Sequence, residues 1–125
     1  MLVDTDVLIW YLRGHLHAAR RLDEITTLTL SAITYLELIQ GMRNRAELMV
    51  VKKMFNKRSA RVLPLNEPIT QRAMALMESL TLSHGLQMGD ALIAATAMEY
   101  QLSVLTANSK HFSTVQGLNV EVFLP

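Results

Sequence analysis

The chain has 125 residues, half of them hydrophobic and 18% charged, with a formal net charge of +1 and no cysteine. That length builds one domain, residues 1–125, with a core of its own, and the missing cysteines exclude both a disulfide framework and a thiolate metal site. No apolar run reaches the ~18 residues of a membrane span, and two aspartates without a basic leader in the first six residues are unlike a secretory signal.

The expectation is therefore a soluble, cytoplasmic protein without a membrane partner. A charged fraction below the ~25% of an average domain implies a surface partly covered by another chain. The net charge says nothing about nucleic acid, but its distribution does. Seven of the twelve basic residues (Arg43, Arg45, Lys52, Lys53, Lys57, Arg58 and Arg61) fall within one stretch opposed only by Glu47.

Met1-Leu2-Val3 is a short apolar run that predicts a brief buried strand ending at Asp4. Val7 to Leu12 continue as a helix, with Thr5 or Asp6 as its N-cap and Gly14 as its stop. His15 to about Ile25 predict a second helix, and the β-branched Thr26–Leu30 a strand. Ser31 then caps a helix over Ala32–Met42 that carries Glu37 and stops near Gly41. Ala46–Lys57 is amphipathic, with Leu48, Val51, Met54 and Phe55 as its apolar stripe.

Val62–Leu65 predict a short strand, and Glu67 to about His84 the longest helix, stopped by Gly85. Met88-Gly89-Asp90 lead into Ala91–Met98, apolar on all sides and hence a buried helix. Ser103–Thr106 predict a strand, Ala107–Phe112 a loop or short turn, and Val120–Leu124 a final strand. Strands alternating with helices over the whole length define an α/β domain with a mainly parallel sheet.

Three carboxylates stand in apolar settings: Asp4 at the end of a strand, Glu37 among Leu36, Leu38 and Ile39, and Asp90 at the head of a buried helix. Burying such a group costs several kcal/mol unless something pairs with it. Taken singly, Asp90 reads equally well as an N-cap and Glu37 as a residue on an exposed helix edge. Taken together, three acids at strand ends repel one another, and a divalent cation relieves that repulsion. Oxygen-only ligands select Mg2+ or Mn2+ over zinc. His15, His17, His84 and His111 show no spacing that joins them to these acids and read as surface or structural residues.

Four segments carry a resemblance. They are Leu2–Ile9 with Asp4, Ser31–Gly41 with Glu37, Asp90–Ala97, and Leu105–Phe112 with Thr106 and Asn108. Together they resemble the PIN-domain ribonucleases, and among them the VapC-type toxins of bacterial toxin–antitoxin pairs. The resemblance implies a parallel sheet with helices on both faces and RNA cleavage at an acidic Mg2+ site formed by Asp4, Glu37 and Asp90, with Mn2+ as the alternative ion. It implies supporting roles for Asp6 and Thr106, and it places Asn108 where relatives have a fourth acid, which leaves a second metal open. It also implies an antitoxin partner, a homodimer and a toxin–antitoxin hetero-oligomer. The basic stretch, with Arg43, Arg45, Lys52 and Lys53, is expected to contact the RNA backbone or an acidic antitoxin segment, with a solvated helix face as the alternative. Two alternatives stand beside the resemblance. Asp4-Thr5-Asp6-Val7 resembles the opening motif of haloacid-dehalogenase-type phosphatases, in which Asp4 would be a nucleophile, and the fold could serve as an inactive binding module.

Overall fold

A computed structural model describes all residues, 1–125. Leu2–Val3 (β1) leads into Thr5–Leu12 (α1), followed by Leu16–Asp23 (α2), Thr29–Ser31 (β2), Ala32–Gln40 (α3), Arg45–Lys57 (α4) and Arg61–Leu63 (β3). Glu67–His84 (α5), Met88–Glu99 (α6), Val104–Thr106 (β4), a 3-10 turn over Ser109–Phe112 and Val120–Val122 (β5) complete the chain. The five strands form one sheet in the order β3-β2-β1-β4-β5, parallel throughout.

Parallel strands need crossovers, and helices supply them on both sides. The split is visible residue by residue. Leu2, Leu63 and Val104 pack on one face with Ile69, Ile93 and the alanines of α6. Val3, Leu30 and Leu105 pack on the other with Val7, Leu8, Leu22, Val51 and Phe55. Neighbouring strand residues thus enter opposite cores, the period of two that a strand imposes.

Several expected boundaries move. The cap of α1 is Asp4 itself, whose Oδ1 accepts from the amide of Thr5 at 2.8 Å; neither Thr5 nor Asp6 serves. Of the expected Thr26–Leu30 strand only Thr29 and Leu30 pair with β1 or β3, and the strand runs on to Ser31. Ser31 caps α3 as expected, accepting from Ile33 at 3.2 Å. Gly85 closes α5 in the left-handed conformation at φ 69°, where a residue without Cβ avoids strain. The cap of α6 is Gln87, and Asp90 lies inside the first turn. No helix is long and apolar enough to cross a membrane.

In this strand order the chain runs outward from β1 to β3, then crosses back to β4 on the other side of β1. The crevice at the carboxyl ends of β1 and β4 is the topological switch point, the usual ligand position of an open α/β sheet. Asp4 follows β1 and Thr106 ends β4 at that crevice.

Candidate active site

Asp4 is 5% exposed, yet both of its oxygens are engaged. Oδ1 accepts from the Thr5 amide, and Oδ2 accepts from the Thr106 hydroxyl at 2.8 Å. Thr106 is wholly buried and in turn accepts from the amide of Asn108 at 2.9 Å. Asp6 sits beside this pair: its carboxylate accepts from the Ala107 amide at 3.2 Å and lies 3.3 Å from the Thr106 hydroxyl. Burial and the neighbouring Asp6 push the Asp4 carboxyl up from 3.8 to about 7, against the pull of the bonds from Thr106 and Thr5, with Asp90 adding a smaller push.

Glu37 is half-buried, not on an exposed edge. Its Oε1 accepts from the Thr5 hydroxyl at 2.7 Å, and Thr5 lies 3.1 Å from the Thr34 hydroxyl. The other oxygen reaches the start of α6, where a Cβ on Gly89 would stand 3.0 Å from Oε2. Asp90 has its side chain 17% exposed, with His111 Nδ1 at 3.4 Å from Oδ2. Burial raises the Asp90 carboxyl above its ordinary value; His111 lowers it, while Glu37 and Asp6 raise it further.

Asp4, Asp6 and Thr106 are thus joined directly, and Asp90 feels all three other acids through space. The set is not closed, however. No three of the chain's carboxylates and histidines lie near enough to one another to form a ready cage for an ion. Asp4, Asp6 and Glu37 are each held by their own donors, Asp90 accepts no hydrogen bond, and no buried polar side-chain atom lacks a partner. Asn108 joins only through its backbone amide, while its side chain is exposed.

Sequence reasoning misses Thr5 and Thr34, which brace the acids, and reads His111 as a surface or structural residue, whereas it stands beside Asp90. Thr5 was readable in principle, since it follows Asp4 directly. His111 was not, because only the crossover from α6 to β4 returns the chain past Asp90.

The basic residues lie elsewhere. Arg43 is tied to Glu47 by its amide and its guanidinium, both at 2.7 Å, which lowers the Glu47 carboxyl through hydrogen bonding. Arg45, Lys52 and Lys53 are exposed along α4. Arg58 pairs with Asp23 at 2.9 Å and lies over the Tyr11 ring. Arg43 shares a hollow with a candidate acid, and Arg13 lines it too: a groove of about 670 Å³ runs from Glu37 past Ile9 and Leu38 to Arg43 and Val50.

A parallel sheet in this order, with acids gathered at its switch point, defines a class, and comparison with known proteins identifies it. The chain belongs to the PIN domain family, whose model it matches over residues 1–118. Within that family it is a homologue of the VapC ribonucleases. It is 38% identical to Ribonuclease VapC10 of Mycobacterium tuberculosis over 129 aligned positions, covering 100% of this chain and 95% of that protein. In structure it resembles a chain of a toxin–antitoxin complex from Klebsiella pneumoniae, with a TM-score of 0.80, 25% identity and coverage of 97% and 95%. It shares its fold with a chain of the DNA-bound VapBC from Salmonella typhimurium, with a TM-score of 0.85, 23% identity and coverage of 97% and 96%.

Proposed function

We propose that this protein is a metal-dependent endoribonuclease, the toxin of a toxin–antitoxin pair, whose Asp4, Glu37 and Asp90 hold Mg2+ or Mn2+ for the hydrolysis of RNA phosphodiester bonds. The observation that carries the proposal is Asp4, a carboxylate at the sheet's switch point that burial first, and then Asp6, keep from ionising until near neutrality. A group so placed gains little from water and much from a cation. The donors are all oxygen, the set that hard divalent ions favour. Kinship with Ribonuclease VapC10 supports the substrate class, and the likeness to a chain of a toxin–antitoxin complex supports the partner.

When bound, the cation supplies Lewis acidity at the phosphate and lowers the pKa of a coordinated water. The chain does the rest. Thr106 fixes the Asp4 carboxylate from one side and the Thr5 amide fixes it from the other, so the acid enters the reaction already oriented. Thr5 aims Glu37 in the same way. Asp6, held by Ala107, adds charge without leaving its place. Exposed Arg45, Lys52 and Lys53 offer a path for the RNA backbone or an acidic antitoxin segment, whereas Arg43 must first yield Glu47. The proposal extends to a cytoplasmic location, a single domain spanning residues 1–125, and a homodimer that binds the antitoxin.

A phosphatase that used Asp4 as nucleophile is disfavoured, since the chain matches the PIN domain family over residues 1–118 and is 38% identical to a ribonuclease over its whole length. The discriminating experiment incubates purified protein with cellular RNA and sequences the new ends. Attack by water predicts 5′-phosphate and 3′-hydroxyl products, full inhibition by EDTA, and no cleavage by Asp90→Asn. Ends bearing 2′,3′-cyclic phosphate, or an active Asp90→Asn protein, would overturn the proposal.

A further inference from the structure

We infer that Thr96, on α6 and outside the acidic crevice, is a positioning residue that acts through Ser31 to set where Asp90 stands relative to Glu37. The inference rests on the assignment of those two acids just made and adds the device that spaces them. The Thr96 hydroxyl donates to the carbonyl of Leu92 at 2.7 Å. Its single proton is thereby spent, so the Ser31 hydroxyl, 3.3 Å away, donates to it. Ser31 Oγ in turn accepts from the amide of Ile33 at 3.2 Å. Three hydrogen bonds thus run unbroken from the first turn of α3 into α6, and both hydroxyl residues are wholly buried.

The run ends close to the acids. Ile33 precedes Glu37 by one turn of α3, and Leu92 follows Asp90 on α6. Gly89 and Thr96 are two helical turns apart, which places them on one stripe of α6 about 10.5 Å from each other. At the Gly89 end this stripe meets Glu37, where a Cβ would stand 3.0 Å from Oε2. At the Thr96 end it meets Ser31. The two helices therefore touch at the carboxylate and again at the hydroxyls. Ser31 also closes β2 and pairs in register with Leu63 of β3, so the tie is anchored in the sheet.

The apolar packing of α6 supplies less of that register. Ala91, Ala94, Ala95 and Ala97 are buried on it, and methyl groups tolerate a small slide or rotation of the helix. A hydrogen bond does not, since it weakens steeply once bent below ~120°.

The test compares Thr96→Val, which keeps the shape and loses the hydroxyl, with Thr96→Ser, which keeps the hydroxyl and loses a methyl. Each is measured for melting temperature, for kcat and KM on an RNA oligonucleotide spanning a wild-type cleavage site, and for Mn2+ affinity by calorimetry. We expect Thr96→Val to lose about tenfold in kcat at unchanged KM and to bind Mn2+ about tenfold more weakly. Thr96→Ser should keep the wild-type kcat and Mn2+ affinity despite a lower melting temperature. If valine leaves the chain unfolded, Thr96→Ala set against Thr96→Ser repeats the comparison with the methyl absent from both. Activity that follows melting temperature across the variants, or a folded Thr96→Val with wild-type kcat and Mn2+ affinity, would overturn the inference and leave the acidic site standing. Mn2+ binding and cleavage unaffected by Glu37→Gln and Asp90→Asn would overturn the assignment of the acids on which it rests.

Discussion

At the scale of single residues, the site is a problem in unfavourable charge that the fold tolerates. Asp4 ionises near 7 instead of 3.8 because burial and Asp6 oppose its charge. Below pH ~4 both folded and unfolded chains hold the proton. Between ~4 and ~7 only the folded chain does, so the unfolded state gains relative to it as pH rises, and the benefit is gone above ~7. The displacement is worth on the order of 4 kcal/mol. Asp4→Asn keeps a side-chain oxygen for the Thr5 amide and removes the charge. Without metal, the variant should therefore melt several degrees above wild type at pH 8, with the gap closing toward pH 4, while cleaving no RNA. Added Mg2+ should raise the melting temperature of wild type alone. A calorimetric pH series checks this; equal melting temperatures at pH 8 would show that Asp4 carries no such burden. Asp4 itself was legible, since three apolar residues followed by an acid announce a strand end. Its capping role was not, because a helix starting one residue earlier leaves the sequence pattern unchanged.

At the scale of elements, the helices were read well and the strands less so. α5 has the same limits in the sequence and in the structure because Asn66, Pro68 and Gly85 punctuate it. The α6 helix, apolar all round, is buried as its composition requires. The strands have two or three residues each, too few for alternation to fix their ends. Thr26–Leu30 overshot because β-branched residues report propensity, whereas pairing depends on reaching β1 and β3. Where α3 meets α6, one position tests whether Glu37 belongs to the site. Gly89→Ala brings a Cβ to 3.0 Å from Glu37 Oε2, so the carboxylate must retreat by a few tenths of an ångström. Alanine is the better helix former, by up to about 1 kcal/mol, so the fold should be no weaker. We expect an unchanged or higher melting temperature together with cleavage reduced about three- to tenfold. Full activity with intact stability would place Glu37 outside the chemistry.

At the scale of the molecule, charge is segregated. Asp4, Asp6, Glu37 and Asp90 occupy the crevice of the sheet, while the basic excess lies along α4 and its flanks. This separation was visible in the sequence as the run from Arg43 to Arg61. What was invisible is how many of those cations are already taken: Arg43 by Glu47, Arg58 by Asp23 and Tyr11, and Arg61 by the ring of Tyr100. Lys52 and Lys53 form no ion pair and are exposed. A polyanion repelled by the crevice needs such a counterweight to approach it. If both lysines meet phosphates of single-stranded RNA, Lys52→Ala with Lys53→Ala should flatten the plot of log affinity against log salt by about 1.4. The measurement uses Asp90→Asn protein, so that no RNA is cut, and fluorescence anisotropy between ~50 and ~200 mM salt. Folding should not suffer, since the buried face of α4 is Val51, Met54 and Phe55. An unchanged slope would make α4 a solvated face and leave the RNA path to be sought along the groove between Glu37 and Arg43.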